Sequence, residues 1–396
     1  MSVTRAQGFS VAIGEAGIRA SGGPDLVVLT SDRPASVAAT FTTNRLRAAP
    51  VLLAEESLRA TGGTARAVVI NAGCANAGTG AAGIEDARAV AAAVATWLGC
   101  EPAEVLPAST GLIGSRLPVR SMVDALPGLR TESGDAPGTA AARAIMTTDT
   151  RPKEQAASAR LADGREVLIG GMAKGAGMIH PQMATMLAFL TTDAPIAPAL
   201  LGDLLRPIVD RTFNQVTVDG DTSTNDAVIV LANGAAGGAA IEGGDDATAF
   251  AAALEEVCRG LAIAIASDGE GAEHLIEVRV AGAPDDASAR AVARTVASSS
   301  LVKTAVHGAD PNWGRIAAAA GRSGVPLDPN RLLVCIGDVQ VYDGAPRPFD
   351  EQRARELLRG TVVEIALDLR DGDGSGVAWG CDLSAEYVAI NSEYTT

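Results

Sequence analysis

The sequence predicts a mixed α/β chain folded as two domains. Three observations carry this. Short apolar runs of strand length, bounded by Gly, Pro, Asp or Asn, alternate with stretches of helical period along the whole chain. From about Glu273 the alternation becomes regular (strand, helix, strand, helix, strand), as expected of a smaller α/β unit. The length, 396 residues, is enough for two or three domains with sizeable cores.

The elements follow in order. Asp25 to Thr30 and Val37 to Thr43 read as strands separated by a turn around Ser31 to Ala35. Leu52 to Ala60 has helical character and is stopped by Gly62-Gly63. Ala67 to Asn71 is an apolar strand, Ile84 to Leu98 a helix ending near Gly99, and Val105 to Ser109 a strand that runs into Thr110-Gly111. A helix from Thr139 closes at Arg143 to Met146, and the strand Arg165 to Met172 enters a glycine-containing loop at Lys174. Met186 to Leu190 reads as a buried strand. Beyond it come a helix (Ala197 to Thr212), two strands (Gln215 to Asp219 and Asp226 to Ala232) and a long helix (Thr248 to Ile265). The second unit comprises a strand (Leu275 to Val280), a helix (Ala287 to Ser298), a strand (Leu332 to Ile336), a helix (Glu351 to Leu358) and a strand (Thr361 to Leu367). Gly234 to Asp246 and Gly321 to Asn330 are Gly/Pro/Asp-rich loops, and no internal repeat is visible.

Composition narrows the function. With 32 basic against 47 acidic side chains the net charge is −15, which argues against nucleic acid or an anionic membrane surface as the main partner. MSVTRAQGFS lacks the apolar core of a secretory signal, and no window of ~18 uninterrupted apolar residues predicts a membrane span. Aromatics make up only 3%, so the core must rest on aliphatic side chains and close backbone contacts. Five scattered cysteines, with no CxxC pair, read as reduced thiols of a cytoplasmic protein. His180, His274 and His307 are not spaced as a metal set, and His180, beside Pro181, reads as a loop-shaping residue.

The stretch with chemistry in it is Lys174 to Thr192, KGAGMIHPQMATMLAFLTT. It places Ala184-Thr185 between a glycine-bearing loop and an apolar strand. A hydroxyl becomes a good nucleophile beside a base within hydrogen-bond reach. Thr185 gains such a base if the bond before it is cut, because the freed α-amine, with a pKa of ~8, titrates near working pH. Ala184 offers the attacking oxygen little hindrance, and β-branching limits the rotamers of Thr185. Standing alone, a threonine ahead of an apolar strand is an ordinary strand residue.

The surrounding residues change that reading. KGAGMIHPQMATMLAFLTTDA resembles the self-cleavage segment of the ornithine acetyltransferase (bifunctional glutamate N-acetyltransferase) family of arginine biosynthesis. The likeness recurs at FTTNRLRAAPV, NAGCANAGTG, STGLIG, IMTTDTRPKE, VDGDTSTND, SLVKTAVHGADPNWGR and YVAINSEYTT, spanning Phe41 to Thr396. The resemblance implies an αββα-type sandwich of the N-terminal-nucleophile kind with a second, smaller α/β portion at about 273–370. It implies cleavage between Ala184 and Thr185 into chains 1–184 and 185–396 that assemble as an α2β2 heterotetramer. The implied activity is acetyl transfer from N2-acetylornithine to glutamate by a ping-pong route through Thr185, with no cofactor and no metal. Members that also accept acetyl-CoA share these motifs with members that do not. Thr110 and Gly111 match the oxyanion hole. Thr148, Lys174, Thr185, Glu270, Asn391 and Thr396 match the substrate contacts. In physical terms, a Lys174 ammonium can hold a carboxylate or a developing oxyanion, and a Glu270 carboxylate suits the amino groups of an ornithine-like ligand. Read without the family, Thr110-Gly111 is an ordinary turn, Lys174 a solvated surface lysine and Glu270 a turn glutamate.

Two departures from the family pattern bear on this expectation: Cys74 where Asn is usual, and Glu273-His274 where Thr-Lys is common. Competing readings exist. Gly78, Gly80 and Gly83 form GxGxxG between a strand and a helix, the dinucleotide fingerprint, though six residues separate Asn71 from Gly78 where that motif needs a tight turn. Asp219 to Asp226 is dense in polar groups but lacks the sixth-position glycine of a calcium loop, and reads as a structural turn near the site. Asp371 to Asp382 fits most of that spacing but has strand-like flanks, predicting a Gly-rich hairpin. An N-terminal-nucleophile aminopeptidase and a non-catalytic protein on the same scaffold are the remaining alternatives.

Overall fold

The structure, a computed structural model, describes residues 2–180 and 186–393. Ala184, Thr185 and Thr396 lie outside the described residues. In chain order the elements are β1 (Phe9–Gly14), β2 (Leu26–Phe41), α1 (Ala49–Ala60), β3 (Thr64–Cys74), α2 (Gly80–Leu98), β4 (Val105–Leu112), α3 (Val119–Ala125), α4 (Asp135–Ala144), β5 (Lys153–Arg160), β6 (Glu166–Lys174), β7 (Leu187–Thr192), α5 (Pro198–Arg211), β8 (Val216–Thr217), β9 (Ala227–Ala232) and α6 (Gly244–Ala266). The remainder is β10 (Leu275–Ala283), α7 (Asp286–Ala297), α8 (Ser300–His307), α9 (Trp313–Gly321), β11 (Leu333–Ile336), β12 (Val339–Asp343), α10 (Glu351–Leu358), β13 (Val362–Asp368), β14 (Gly374–Cys381) and α11 (Ala385–Glu393).

The first sheet has the order β4-β3-β2-β9-β7-β6-β5, with β1 on the first half of β2. Side-chain alternation shows that it doubles back on itself. In β9, Ala227, Ile229 and Leu231 enter one apolar cluster, while Val228 and Val230 enter another. In β3, Val68 and Ile70 join the same inner cluster, while Ala67 and Val69 face the opposite way. The inner cluster therefore sits between a β1–β4 layer and a β5–β7/β9 layer. Helices cover the outer faces. Leu205, Ile208, Leu254 and Leu261 of α5 and α6 seal the second layer, and Val90 and Val94 of α2 seal the first. This is the expected α/β/β/α sandwich.

β2 joins the two layers. Its N-terminal half pairs with β3 and its C-terminal half with β9, and the ladder to β3 shifts register between Thr30 and Ala35. The turn expected at Ser31 to Ala35 is thus a bend within one 16-residue strand. Polar residues there signal a break in alternation, which a bulged strand produces as readily as a turn.

The second sheet runs β12-β11-β13-β10-β14-β8. It takes strands from Leu275 to Cys381, and β8, contributed from before α6, pairs parallel to β14. Helix α7 buries Ala289, Val292, Ala293 and Val296 in the core beneath this sheet. The hairpin expected around Asp371 to Asp382 does not form. β13 and β14 lie on opposite sides of β10, so the glycine-rich connection passes across the end of that strand.

Candidate active site

Strand ends and loops from both parts of the chain meet at a pocket of ≈ 150 Å³. Thr110 and Gly111 reach it at the end of β4. They are strand residues, not a turn, and pair with β3 where its ladder becomes irregular at Gly73 and Cys74. Gly111 has φ +127°, and a Cβ there would lie 2.3 Å from the carbonyl carbon of Gly73. Only glycine permits this backbone, and Gly111 lines the pocket.

Lys174 closes β6 and lies almost wholly buried. Its Nζ donates to Thr147 Oγ1 at 2.6 Å and to Thr110 Oγ1 at 3.1 Å, and stands 4.0 Å from Asp149 Oδ2. The solvated surface lysine considered above is excluded. Burial drives the Lys174 pKa below the usual lysine value, against the opposing attraction of Asp149. Asp149, also buried, accepts from Gly175 N at 2.6 Å and from Lys153 Nζ at 2.5 Å. Burial by itself would raise this carboxyl, but Lys174 and Lys153 more than offset it and hold it below its ordinary value.

The other wall carries the carboxylate. Glu270 packs over Gly177, where a Cβ would sit 2.5 Å from the carboxylate oxygens, and its backbone N–H binds the Ala176 carbonyl at 2.9 Å. Asn391 of α11 donates to Glu270 Oε2 at 2.8 Å. Thr148 also lines the pocket. Of the expected site residues, Thr110, Gly111, Thr148, Lys174, Glu270 and Asn391 therefore share one cavity.

The polar segment Asp219 to Asp226 does more than sequence reasoning assigned to it. Ser223, Thr224 and Asn225 line the pocket, and Asn225 Nδ2 donates to the Ala75 and Ser109 carbonyls at 2.7 and 2.9 Å. The two ends of this segment hold the chain on either side of residues 181–185. Asp219 accepts the Met178 and Ile179 N–H groups at 2.5 and 2.9 Å. Asp226 Oδ1 accepts the Met186 N–H at 3.0 Å. Leu187, two residues beyond Thr185, is the cross-strand partner of Lys174. Full burial raises the Asp226 pKa well above its ordinary value, only partly countered by the Met186 N–H and Lys174. The signal available in the sequence was the density of side chains able to accept backbone N–H groups.

The glycine fingerprint has a local explanation. β3 extends to Cys74, and a Cβ on Gly83 would lie 1.9 Å from Thr79 Oγ1 and 2.5 Å from Asn76 Oδ1. That glycine makes room for an Asn76–Thr79 hydrogen bond at 2.8 Å, a role that needs no pyrophosphate. The departures from the family pattern also fall off the pocket. Cys74 donates its thiol to the Ser115 carbonyl, and the His274 ring meets the Gly360 carbonyl at 2.8 Å. His180 meets Thr217 Oγ1 at 3.2 Å. All five cysteines are unpaired. No group of three or more potential metal ligands occurs among the described residues, and no helix among them is long and apolar enough to cross a membrane.

Comparison with known proteins extends these findings. The arginine biosynthesis bifunctional protein ArgJ of Thermosynechococcus vestitus is 52% identical over 413 residues, covering 100% of this chain and 98% of its own. The protein of that name from Thermus thermophilus is 49% identical over 397 residues and covers 100% of both. A crystal structure of the Bacillus halodurans protein matches with 45% identity and a TM-score of 0.51, over 52% of this chain and 98% of its own. A family model described as "ArgJ family" matches residues 10–396, a span that holds every pocket residue described above, and the chain belongs to that family.

Proposed function

We propose that this chain cuts itself between Ala184 and Thr185 and then transfers the acetyl group of N2-acetylornithine to glutamate. The observation that carries the reading is one pocket with Thr110 and Gly111, braced by Lys174, on one wall and the Glu270 carboxylate on the other. The first is an anion-stabilising wall and the second a cation-binding one, as an acylated diamino acid requires. The chain is held firmly on both sides of the scissile bond, by Asp219 before it and Asp226 after it. The Bacillus halodurans chain matches over 98% of its own length but only 52% of this one, the size of one of two cleavage products.

The steps follow from the groups present. Cleavage frees the Thr185 α-amine, which takes the Thr185 hydroxyl proton as the oxygen attacks the acetyl carbon. The tetrahedral oxyanion is met by the Thr110 hydroxyl and the Gly111 N–H. Its collapse breaks the bond to the ornithine nitrogen, which leaves with the proton from the amine. The acetyl group remains as an ester on Thr185. Glutamate enters with its own neutral amine, attacks that ester and gives its proton to the Thr185 amine; collapse breaks the bond to Thr185 Oγ, which takes the proton back from the amine, and N-acetylglutamate leaves. Glu270, supported by Asn391, holds the distal ammonium of the donor, and Thr148 and Thr396 complete the substrate contacts. The enzyme works without a cofactor in the cytoplasm as an α2β2 assembly of its cleaved chains. Use of acetyl-CoA as a second donor is a separate property, read by supplying acetyl-CoA and glutamate without N2-acetylornithine and measuring N-acetylglutamate.

The test is mass spectrometry of the purified protein combined with ornithine release from N2-acetylornithine, with and without glutamate. The expected result is two chains meeting at Thr185 and release that depends on glutamate. Thr185→Ala is expected to stay uncut and to lose turnover. An active, cleaved Thr185→Ala protein sinks the proposal, and ornithine release independent of glutamate replaces transfer with hydrolysis.

A further inference from the structure

An ammonium only donates hydrogen bonds, so both hydroxyl oxygens beside Lys174 must accept from it. Thr110 Oγ1, accepting a hydrogen bond from Nζ at 3.1 Å, is left with its own proton to direct elsewhere, and Thr110 lines the pocket. Lys174 thus acts on the oxyanion donor from behind. A cation buried this deeply persists only with a counter-charge. The carboxylate that faces it is Asp149, 4.0 Å away. Asp149 is in turn fixed by Lys153 at 2.5 Å and by the Gly175 N–H at 2.6 Å. Lys153 also binds Asp268 at 2.6 Å, and Asp268 accepts the Thr150 N–H at 3.1 Å and the Thr150 hydroxyl. Two lysines and two aspartates, nearly all hidden from water, form one cluster behind the oxyanion wall, with the exposed Arg151 guanidinium 3.9 Å from Asp268 at its rim.

We propose that Asp149, with Lys153 and Asp268 behind it, is a positioning residue that keeps Lys174 charged against Thr110 and so sets the strength of the oxyanion donor. The proposal rests on the acyl-transfer reading given above. It separates this cluster from substrate binding, because Asp149, Lys153 and Asp268 do not line the pocket.

The charged groups acting on Lys174 are Asp149 from the segment after α4, Lys153 from β5, Asp226 from the segment before β9, and Glu270 from the segment after α6. Asp149 is the strongest favourable partner among them, so its removal lets burial prevail and lowers the Lys174 pKa further. The experiment is the pH profile of kcat for acetyl transfer, with rates divided by the cleaved fraction read from a denaturing gel. In the wild type, kcat is expected to fall on a basic limb below the free-lysine value of 10.5. Asp149→Asn is expected to move that limb to lower pH by at least about one unit while KM for glutamate changes little. Asp268→Asn leaves Asp149 in place but commits it to Lys153, and is expected to move the limb the same way by less. A merely structural role lowers kcat equally at all pH values and leaves the limb in place.

Should Asp149→Asn fail to fold, Asp268→Asn and the wild-type limb still decide the matter. A wild-type rate still flat at pH 10.5, or an unmoved limb in the variants that fold, overturns the proposal. Absence of acetyl transfer in the wild type instead overturns the functional reading on which it rests.

Discussion

At the scale of single residues, two buried aspartates that act on Lys174 are in opposite electrostatic states. Asp149 lies between two lysines and stays ionised, whereas full burial of Asp226 outweighs the Met186 N–H, a more distant lysine and the Ser223 and Thr42 hydroxyls, so that it favours its proton. The consequence for stability has a definite sign. An unfolded aspartate titrates near 3.8, whereas the folded Asp226 keeps its proton to higher pH. The folded state therefore binds more protons in the window above 3.8, and stability falls as pH rises through it. Asp226→Asn keeps an acceptor for the Met186 N–H and removes this slope. Urea midpoints measured at pH 4 and pH 8, with Thr185→Ala in both proteins so that neither is cut, are expected to show the Asn variant gaining on its parent at pH 8. Parallel behaviour of the two would contradict the assignment. Little of this was legible in the sequence. Thr110, Gly111, Thr148, Lys174, Glu270 and Asn391, which share the pocket, were picked out as candidates through their motifs. Lys174 and Thr110 meet across 64 residues, and Lys153 and Asp268 across 115, and no local pattern encodes such pairings. A lysine ahead of a glycine-bearing loop looks solvated until the fold shows what covers it.

At the scale of elements, the strands and helices read correctly were those with a strong apolar period, such as β9, whose six residues are all buried, and the long amphipathic α6. Those missed share a physical reason. β5, KEQAASAR, is a polar edge strand, and β14, GSGVAWGC, is mostly glycine and small residues, so neither shows alternation. The glycines that weaken the signal serve close packing. A Cβ on Gly170 of β6 would lie 2.1 Å from the Ser2 carbonyl oxygen, and one on Gly171 would meet Leu261 and Val257 of α6 at 3.0 Å. β6 thus lies between the N-terminal segment and a core helix while delivering Lys174 to the pocket. Gly170→Ala must displace backbone, not the end of a flexible side chain. The expected cost is about 1–3 kcal/mol, read as a lowered denaturation midpoint in the uncut Thr185→Ala background. An unchanged midpoint would mean that the Ser2 segment does not pack as described.

At the scale of the whole molecule, the proposed cut divides the site, yet the fold resists separation of its halves. Thr110, Gly111, Thr148 and Lys174 precede the bond, whereas Ser223 to Asn225, Glu270 and Asn391 follow it. Neither fragment holds both the Thr110–Lys174 wall and the Glu270 wall. The same division runs through the first sheet. β6, from before the cut, pairs with β7 from after it along Ile169 to Lys174, and β2 pairs with β9 along Ser36 to Phe41. The inner apolar cluster draws Val37, Ile70 and Met172 from one side and Leu187, Phe189 and Ile229 from the other. Separating the fragments would open two strand ladders and expose that core, a cost of the order of unfolding itself. The cleaved protein is therefore expected to elute from size-exclusion chromatography with both fragments in every active fraction, and to part only in denaturant. Residues 1–184 and 185–396 expressed separately are each expected to release no ornithine, and co-expression to restore release. A single fragment that elutes alone and transfers acetyl groups would show that the pocket is not shared, and would remove the structural reason for treating self-cleavage as an event within one continuous fold.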